Sequence, residues 1–178
     1  MRSFIAFDIS DTHRKECDIL IQKGKRIYAN EIKWVDLTNL HITLLFLGDI
    51  EIEDKQKVIK LMNDFYNDLP KINLKKGILN WNSISNPKTI WIEYSFDNSE
   101  FDKLHKVLIK NLKRELPYLK LDNREFLCHL TLGRVKTKID VEKWKIYNEG
   151  VKDGHVLHDL SLYQSKLYPG GPVYTKLL

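Results

Sequence analysis

Cysteine is scarce. Two occur in 178 residues, Cys17 and Cys128, each isolated. No disulfide framework and no zinc cluster can be built from that pair, and Cys128 reads as a small buried apolar side chain. Long apolar runs are missing as well. Leu44 to Leu47 is as long as they get, against the roughly 20 residues a membrane-crossing helix needs. The N-terminal Phe4 to Phe7 meets Asp8 too soon for the apolar centre of a signal peptide, so a cytoplasmic protein with no membrane partner is expected. Glycine (8) and proline (5) are also few. No glycine-rich loop follows a strand with nucleotide-binding spacing. Gly170–Gly171, between Pro169 and Pro172, reads as a turn, which argues against Walker and Rossmann sites.

What is present is ordinary for one globular domain. Apolar residues make 43% of the chain, enough for a core without staples. With 29 Lys+Arg against 24 Asp+Glu, the net charge is +5. That surface leans toward anionic partners, although the same charge also serves solubility.

Strand-like runs are short and rich in β-branched or aromatic residues: 3–8, 33–35, 40–47, 72–79, 89–94, 126–135, 154–165 and 173–177. Helix-like stretches lie between them. One opens on Asp11 and closes on Gly24. A second runs from Asp54 to Leu69, before Pro70. A third runs from Ser99 to Leu116, before Pro117, and a short fourth starts near Asp140. Asn80 to Lys88 reads as a loop. Some connections are of hairpin length, so the expectation is an α+β fold with antiparallel or mixed sheets.

The two halves of the chain share a pattern. His41-Ile42-Thr43-Leu44 and His129-Leu130-Thr131-Leu132 both read His-apolar-Thr-apolar, 88 positions apart. With six histidines and seven threonines, chance alone places roughly a quarter of one His-x-Thr in such a chain. In a strand, residues i and i+2 share a face, so each His points with its Thr while the apolar neighbours face a core. A pseudo-twofold axis would bring two imidazoles and two hydroxyls into one cleft. One imidazole can be neutral and the other protonated near pH 7, a base and an acid in one site. Hydroxyls can bond non-bridging phosphate oxygens. Together they suit displacement at a phosphodiester, and a cyclic phosphate, being strained, is a reasonable substrate. A metal site is the competing reading, with two His as ligands and Asp8 or Asp49 added.

The segments NLHITLLFLGDI and FLCHLTLGRVK resemble the paired HxTx motifs of the two-histidine (2H) phosphoesterases. Within that superfamily the chain resembles the RNA 2′,3′-cyclic phosphodiesterases, the LigT-like branch long called 2′-5′ RNA ligases. MRSFIAFDI, WVDLTNLHITLLFLG and LSLYQSKLYPGGPVY carry that likeness almost from end to end. The resemblance implies one two-lobed domain over residues 1–178, with pseudo-symmetric antiparallel sheets around a central cleft and helices outside. It implies hydrolysis of RNA 2′,3′-cyclic phosphate ends to 2′-phosphomonoesters without metal or other cofactor, and a weak reversible 2′-5′ joining of RNA ends. Substrates would be RNA with such an end, tRNA fragments included, or small cyclic nucleotides. It further implies His41 as proton donor, His129 as proton acceptor, and Thr43 and Thr131 as phosphate contacts. Relatives often carry Pro before the second motif histidine; here Cys128 stands there, on the side away from the cleft.

Phe46 and Arg134 each lie five residues after a motif histidine. That odd offset faces away on a regular strand, and a bulge would return both to the cleft to hold a nucleobase. Lys136 and Arg124 are candidates for RNA backbone contact, and Ser165 and Tyr168 for the cleft lining. His13 and His105, in helix-like stretches, read as surface or cap residues. His155 and His158 lack repeated context, and the four tryptophans read as core. A monomer is expected. The alternative function is a non-catalytic RNA-binding module.

Overall fold

In β1 (Arg2–Asp8) Ser3, Ile5 and Phe7 alternate with Phe4, Ala6 and Asp8, so the strand buries one face in the core and turns the other toward the histidines. A computed structural model describes the protein apart from residues 98, 122, 123, 146–150, 153, 158 and 170, and Lys145 in its backbone only. The expected stretch around His158 therefore lies partly outside the described residues.

The remaining elements follow in order: α1 (Asp11–Ile27), β2 (Ile32–Trp34), a 3-10 turn (Leu37–Asn39), β3 (His41–Asp49), α2 (Lys55–Asp68), β4 (Ile72–Asn73), β5 (Ile78–Trp81), β6 (Thr89–Glu93), α3 (Ser99–Glu115), β7 (His129–Val135), α4 (Glu142–Lys145), β8 (Val156–Leu157), β9 (Leu160–Tyr168) and β10 (Gly171–Lys176). The fold is α+β, as expected. Two expected strands are divided: 72–79 becomes β4 and the start of β5, and 154–165 becomes β8 and most of β9.

One sheet runs β10-β9-β1-β3-β7-β6-β5, with β2 also on β7, and every ladder is antiparallel. Its middle is thin. β3 and β7 share a single registered pair, Ile42 with Leu130, after which β2 takes over the edge that β3 leaves. The sheet thus consists of two four-stranded halves, β10-β9-β1-β3 and β5-β6-β7-β2. Each half mixes strands from both ends of the chain or from both sides of its middle, so the lobes are not simply the first and second halves of the sequence.

Helix α1 opens on Asp11, as expected. Ser10 is the cap, its side chain accepting a bond from the His13 amide at 3.1 Å. The helix also runs through Gly24. A Cβ there would come within 2.3 Å of the Trp34 ring and 2.8 Å of the Trp144 ring, so this glycine serves close packing and ends nothing. α1 buries His13, Cys17, Leu20, Ile21 and Gly24 at helical spacing, and α3 buries Phe101, His105, Leu108, Ile109 and Leu112. The expectation that His13 and His105 are surface or cap residues is overturned: they are 2% and 6% exposed. Cys17 and Cys128 are buried free thiols. No described helix is long and apolar enough to cross a membrane.

Candidate active site

The thin junction decides where the motif residues meet. Ile42 and Leu130 are directly paired and fully buried. Their neighbours therefore project from the opposite face. Because the pair is antiparallel, His41 lies on the Thr131 side of it and Thr43 on the His129 side. Four side chains surround one point, with the histidines on a diagonal. All four are half-buried, closed off from the core yet open to solvent.

Both imidazoles are oriented in the same way. His41 Nδ1 donates to the Asn39 carbonyl at 2.7 Å, and His129 Nδ1 donates to the Leu127 carbonyl at 2.8 Å. A carbonyl can only accept, so each Nδ1 carries hydrogen and each Nε2 is the nitrogen that gains and loses a proton. Thr43 Oγ1 lies 3.1 Å from His41 Nε2.

Around His41 the walls are aromatic. Phe4 meets it at 4.9 Å between ring centroids, over the small side chain of Ala6; Tyr174 meets it edge-on at 5.3 Å and Tyr163 at 6.0 Å. Burial among these rings holds the His41 pKa below its ordinary value. The Asn39 carbonyl raises it, nearby His129 lowers it further and Asp8 raises it. Asp8 pairs with His41 across the β1–β3 ladder. Its carboxylate accepts from Ser161 Oγ at 2.9 Å, Tyr163 Oη at 2.5 Å and Lys176 Nζ at 2.7 Å. Burial works to raise the Asp8 pKa, and those donors, led by Lys176, more than reverse it, so the carboxyl stays ionised at neutral pH. The second half repeats the plan. Glu93 pairs with His129 across the β6–β7 ladder and accepts from Asn80 Nδ2 at 2.7 Å. Trp91, opposite Thr131, sits edge-on to His129 at 6.1 Å.

Phe46 and Arg134 are on the histidine face. In β3, Leu44 is an extra residue between the Thr43–Ala6 and Leu45–Ile5 pairs; in β7, Leu132 is an extra residue between the Thr131–Trp91 and Gly133–Ile90 pairs. Each bulge restores the facing that an odd offset loses. Phe46 pairs with Phe4 and is 65% exposed; Arg134 pairs with Thr89 and Lys33 and is exposed.

Comparison with known proteins gives the family. The family model described as LigT like Phosphoesterase matches residues 18–91. An RNA 2′,3′-cyclic phosphodiesterase of Archaeoglobus fulgidus is 30% identical over 99% of this chain and 98% of its own length. This chain belongs to the LigT-like phosphoesterase family. Two solved structures share the family fold: TT0787 of Thermus thermophilus, with a TM-score of 0.77, 23% identity and coverage of 100% of this chain and 96% of that one, and Escherichia coli LigT in apo form, with a TM-score of 0.72, 21% identity and coverage of 99% and 94%.

Other expectations for this LigT-like phosphoesterase are redirected by the structure. Asp8 is engaged as described, and Asp49 lies at the far end of β3, 84% exposed and 3.7 Å from the N-terminal ammonium. Among the described residues no three His, Cys, Asp or Glu side chains converge as a metal-ligand group. Arg124 lines a small cavity with His105 and Phe126. Tyr168 falls on the face of β9 turned away from the cleft, whereas Ser165 shares the Tyr163 face. His155 stacks on His13 at 4.1 Å and bonds Glu16 at 3.1 Å, outside the site. Trp144 is core at 2% exposure, but Trp91 lines the site. Sequence reading missed Phe4, Tyr163, Tyr174 and Glu93, and saw Asp8 only as a metal ligand. Register is what gathers them, and a single sequence does not display register.

Proposed function

We propose that this protein hydrolyses RNA 2′,3′-cyclic phosphodiester ends to 2′-phosphomonoesters, as the names of its relatives suggest. The observation that carries the reading is the antiparallel crossing of the two His-x-Thr strands at Ile42–Leu130, which sets two Nε2 atoms and two hydroxyls around one point.

A cyclic phosphate at that point meets a base on one side and an acid on the other. His129 Nε2 takes a proton from the attacking water. The new phosphorus–oxygen bond forms as the bond to the 3′ oxygen breaks, and His41 Nε2–H supplies the proton that oxygen needs. Thr43 and Thr131 bond the non-bridging oxygens, where charge builds up. Empty, the His41 pocket disfavours the charged imidazolium through burial. The incoming phosphodiester anion adds to the upward pull of Asp8, so substrate binding and protonation of His41 reinforce each other. Phe46 and Arg134 hold the terminal base between a ring and a guanidinium. With an RNA 5′-hydroxyl in place of water, the same groups would join it to the 2′,3′-cyclic phosphate through a 2′-5′ linkage: His129 Nε2 takes the hydroxyl proton, the bond to the 3′ oxygen breaks, and His41 Nε2–H protonates that oxygen.

The deciding experiment is product analysis with an RNA ending in a 2′,3′-cyclic phosphate, in the presence of EDTA. A 2′-phosphate product bears out the proposal. A 3′-phosphate would reverse the roles of the two ester oxygens, and activity lost to the chelator would bring in a metal. Salt-sensitive RNA binding with no turnover would identify a non-catalytic binding module.

A further inference from the structure

The β9–β10 hairpin extends beyond the rest of the sheet. β1 leaves β9 at Ser3–Gln164, while β9 and β10 continue through Lys166–Val173, Leu167–Pro172 and Tyr168–Gly171 with no third strand registered beside them among the described residues. Strand alternation puts Tyr163, Ser165 and Leu167 of β9 on the cleft face, together with Lys176, Tyr174 and Pro172 of β10. Tyr174 is the link to the active site. Its ring lies 5.0 Å from Phe4, which in turn lies 6.0 Å from Phe46. An apolar strip therefore runs from Phe46 through Tyr174 to Leu167, which is 66% exposed.

Cations flank this strip on both sides. Arg2 shares the Phe4 face of β1, and its charge and that of Arg134 both act on the Tyr174 hydroxyl. From the opposite half of the sheet, Lys33 reaches the hairpin: a Cβ on Gly171 would lie 2.9 Å from Lys33 Nζ. Arg2 is paired in the register with the exposed Asp49, and the hairpin's Lys176 is held by Asp8 at 2.7 Å. A lone exposed leucine needs no explanation. An apolar strip exposed at Phe46 and Leu167, half-buried at Tyr174 and Pro172, continuous with the proposed phosphate site and bordered by cations matches the chemistry of single-stranded nucleic acid, bases on apolar faces and phosphates on basic side chains.

We propose that the cleft face of the β9–β10 hairpin, with Tyr174, Leu167, Pro172, Arg2 and Lys33, is a second nucleotide subsite that seats the residue 5′ of the reacting RNA end. The proposal rests on the function proposed above, since it takes the cyclic end to lie between His41 and His129. It makes the enzyme a reader of RNA strands: a mononucleotide fills only the inner part of the strip, and an oligonucleotide fills all of it.

The test compares adenosine 2′,3′-cyclic phosphate with a five-nucleotide RNA ending in the same group, on the wild type and on Arg2→Ala and Leu167→Asp. Both positions are exposed, and thermal melting checks that the variants fold. The wild type should show a KM about tenfold lower for the pentamer. Each variant should raise the pentamer KM about tenfold and leave mononucleotide turnover within twofold, and Arg2→Ala should lower the salt slope of pentamer binding by about 0.7. Equal wild-type KM values for the two substrates, or variant effects that are equal for both or absent for both, would overturn the subsite. Binding of a fluorescent pentamer ending in a 2′-phosphate, followed by anisotropy, separates this inference from the catalytic one. If neither substrate turns over, the proposed hydrolysis falls; weakened pentamer binding in the variants then still sustains the subsite, and unchanged binding still overturns it.

Discussion

The Asp8 carboxylate stands opposite His41 in the β1–β3 ladder, as Glu93 stands opposite His129 in the β6–β7 ladder. Each motif imidazole thus has an acidic neighbour one strand away, and each carboxylate is held by donors from the next strand out, Ser161 and Tyr163 for Asp8 and Asn80 for Glu93. The repeat in the sequence is two tetrapeptides; the repeat in space is larger.

Asp8 raises the His41 pKa, so Asp8→Asn removes a charge that favours the protonated acid. The alkaline limb of the bell-shaped rate profile should move to lower pH. Tyr163→Phe, which keeps the charge and removes one donor, should move it less. The measurement is kcat/KM for a nucleoside 2′,3′-cyclic phosphate between pH 5 and 9; an alkaline limb left in place would show that Asp8 does not act on the acid.

Removing either imidazole should abolish one half of the proton transfer. His41→Ala and His129→Ala are each expected to lower kcat by about 10² to 10⁴. Because the two act in one step, the double variant should be little worse than the slower single one. Single-turnover rates in EDTA provide the check, and a variant that keeps full activity removes that histidine from the mechanism.

The hydroxyls are tested by shape-preserving changes. Thr131→Val removes one donor to the phosphate and should lower kcat by roughly 10² or more with little change in KM, as expected for a contact that strengthens as charge develops. Thr43→Val should cost at least as much, because Thr43 also bonds His41 Nε2 at 3.1 Å.

Stability should fall in acid because of a histidine outside the site. Burial, with His155 close by, lowers the His13 pKa to about 3. The unfolded chain binds that proton near pH 6.5 and the folded one does not, so the contribution is fully present above about 6.5 and is lost as pH falls toward 3. The slope is about 1.4 kcal/mol per pH unit inside that window. His13→Gln should therefore melt at a lower temperature than wild type at pH 7.5, and the gap should narrow steadily by pH 4.5. A gap independent of pH would mean that His13 takes up its proton as readily in the folded chain as in the unfolded one.

The chemistry was legible because a strand repeats every two residues: His41 with Thr43 and His129 with Thr131 announce a shared face without any knowledge of neighbours. The bulges at Leu44 and Leu132 were less visible, since nothing in a leucine marks it as the extra residue, and only the odd offset of Phe46 and Arg134 hinted at them. The environment of His41 was not legible at all. Phe4, Tyr163 and Tyr174 come from opposite ends of the chain, and only the β10-β9-β1-β3 order joins them to His41. His13 and His105 are a different case, because the signal was there. His13 stands in helical phase with Cys17, Leu20 and Ile21, and His105 with Phe101, Leu108 and Leu112, so the periodicity already placed both on buried faces.

One registered pair, Ile42 with Leu130, is all that stitches β3 to β7. A seam that narrow is a natural pivot, and points close to a pivot travel least when two bodies rotate about it. The imidazoles project beside the seam, whereas the Lys33–hairpin contact spans the gap at a distance from it. Any rocking of the halves would widen or narrow the doorway for an RNA strand while leaving the span between acid and base almost constant. Entry and chemistry can then be tuned by different residues.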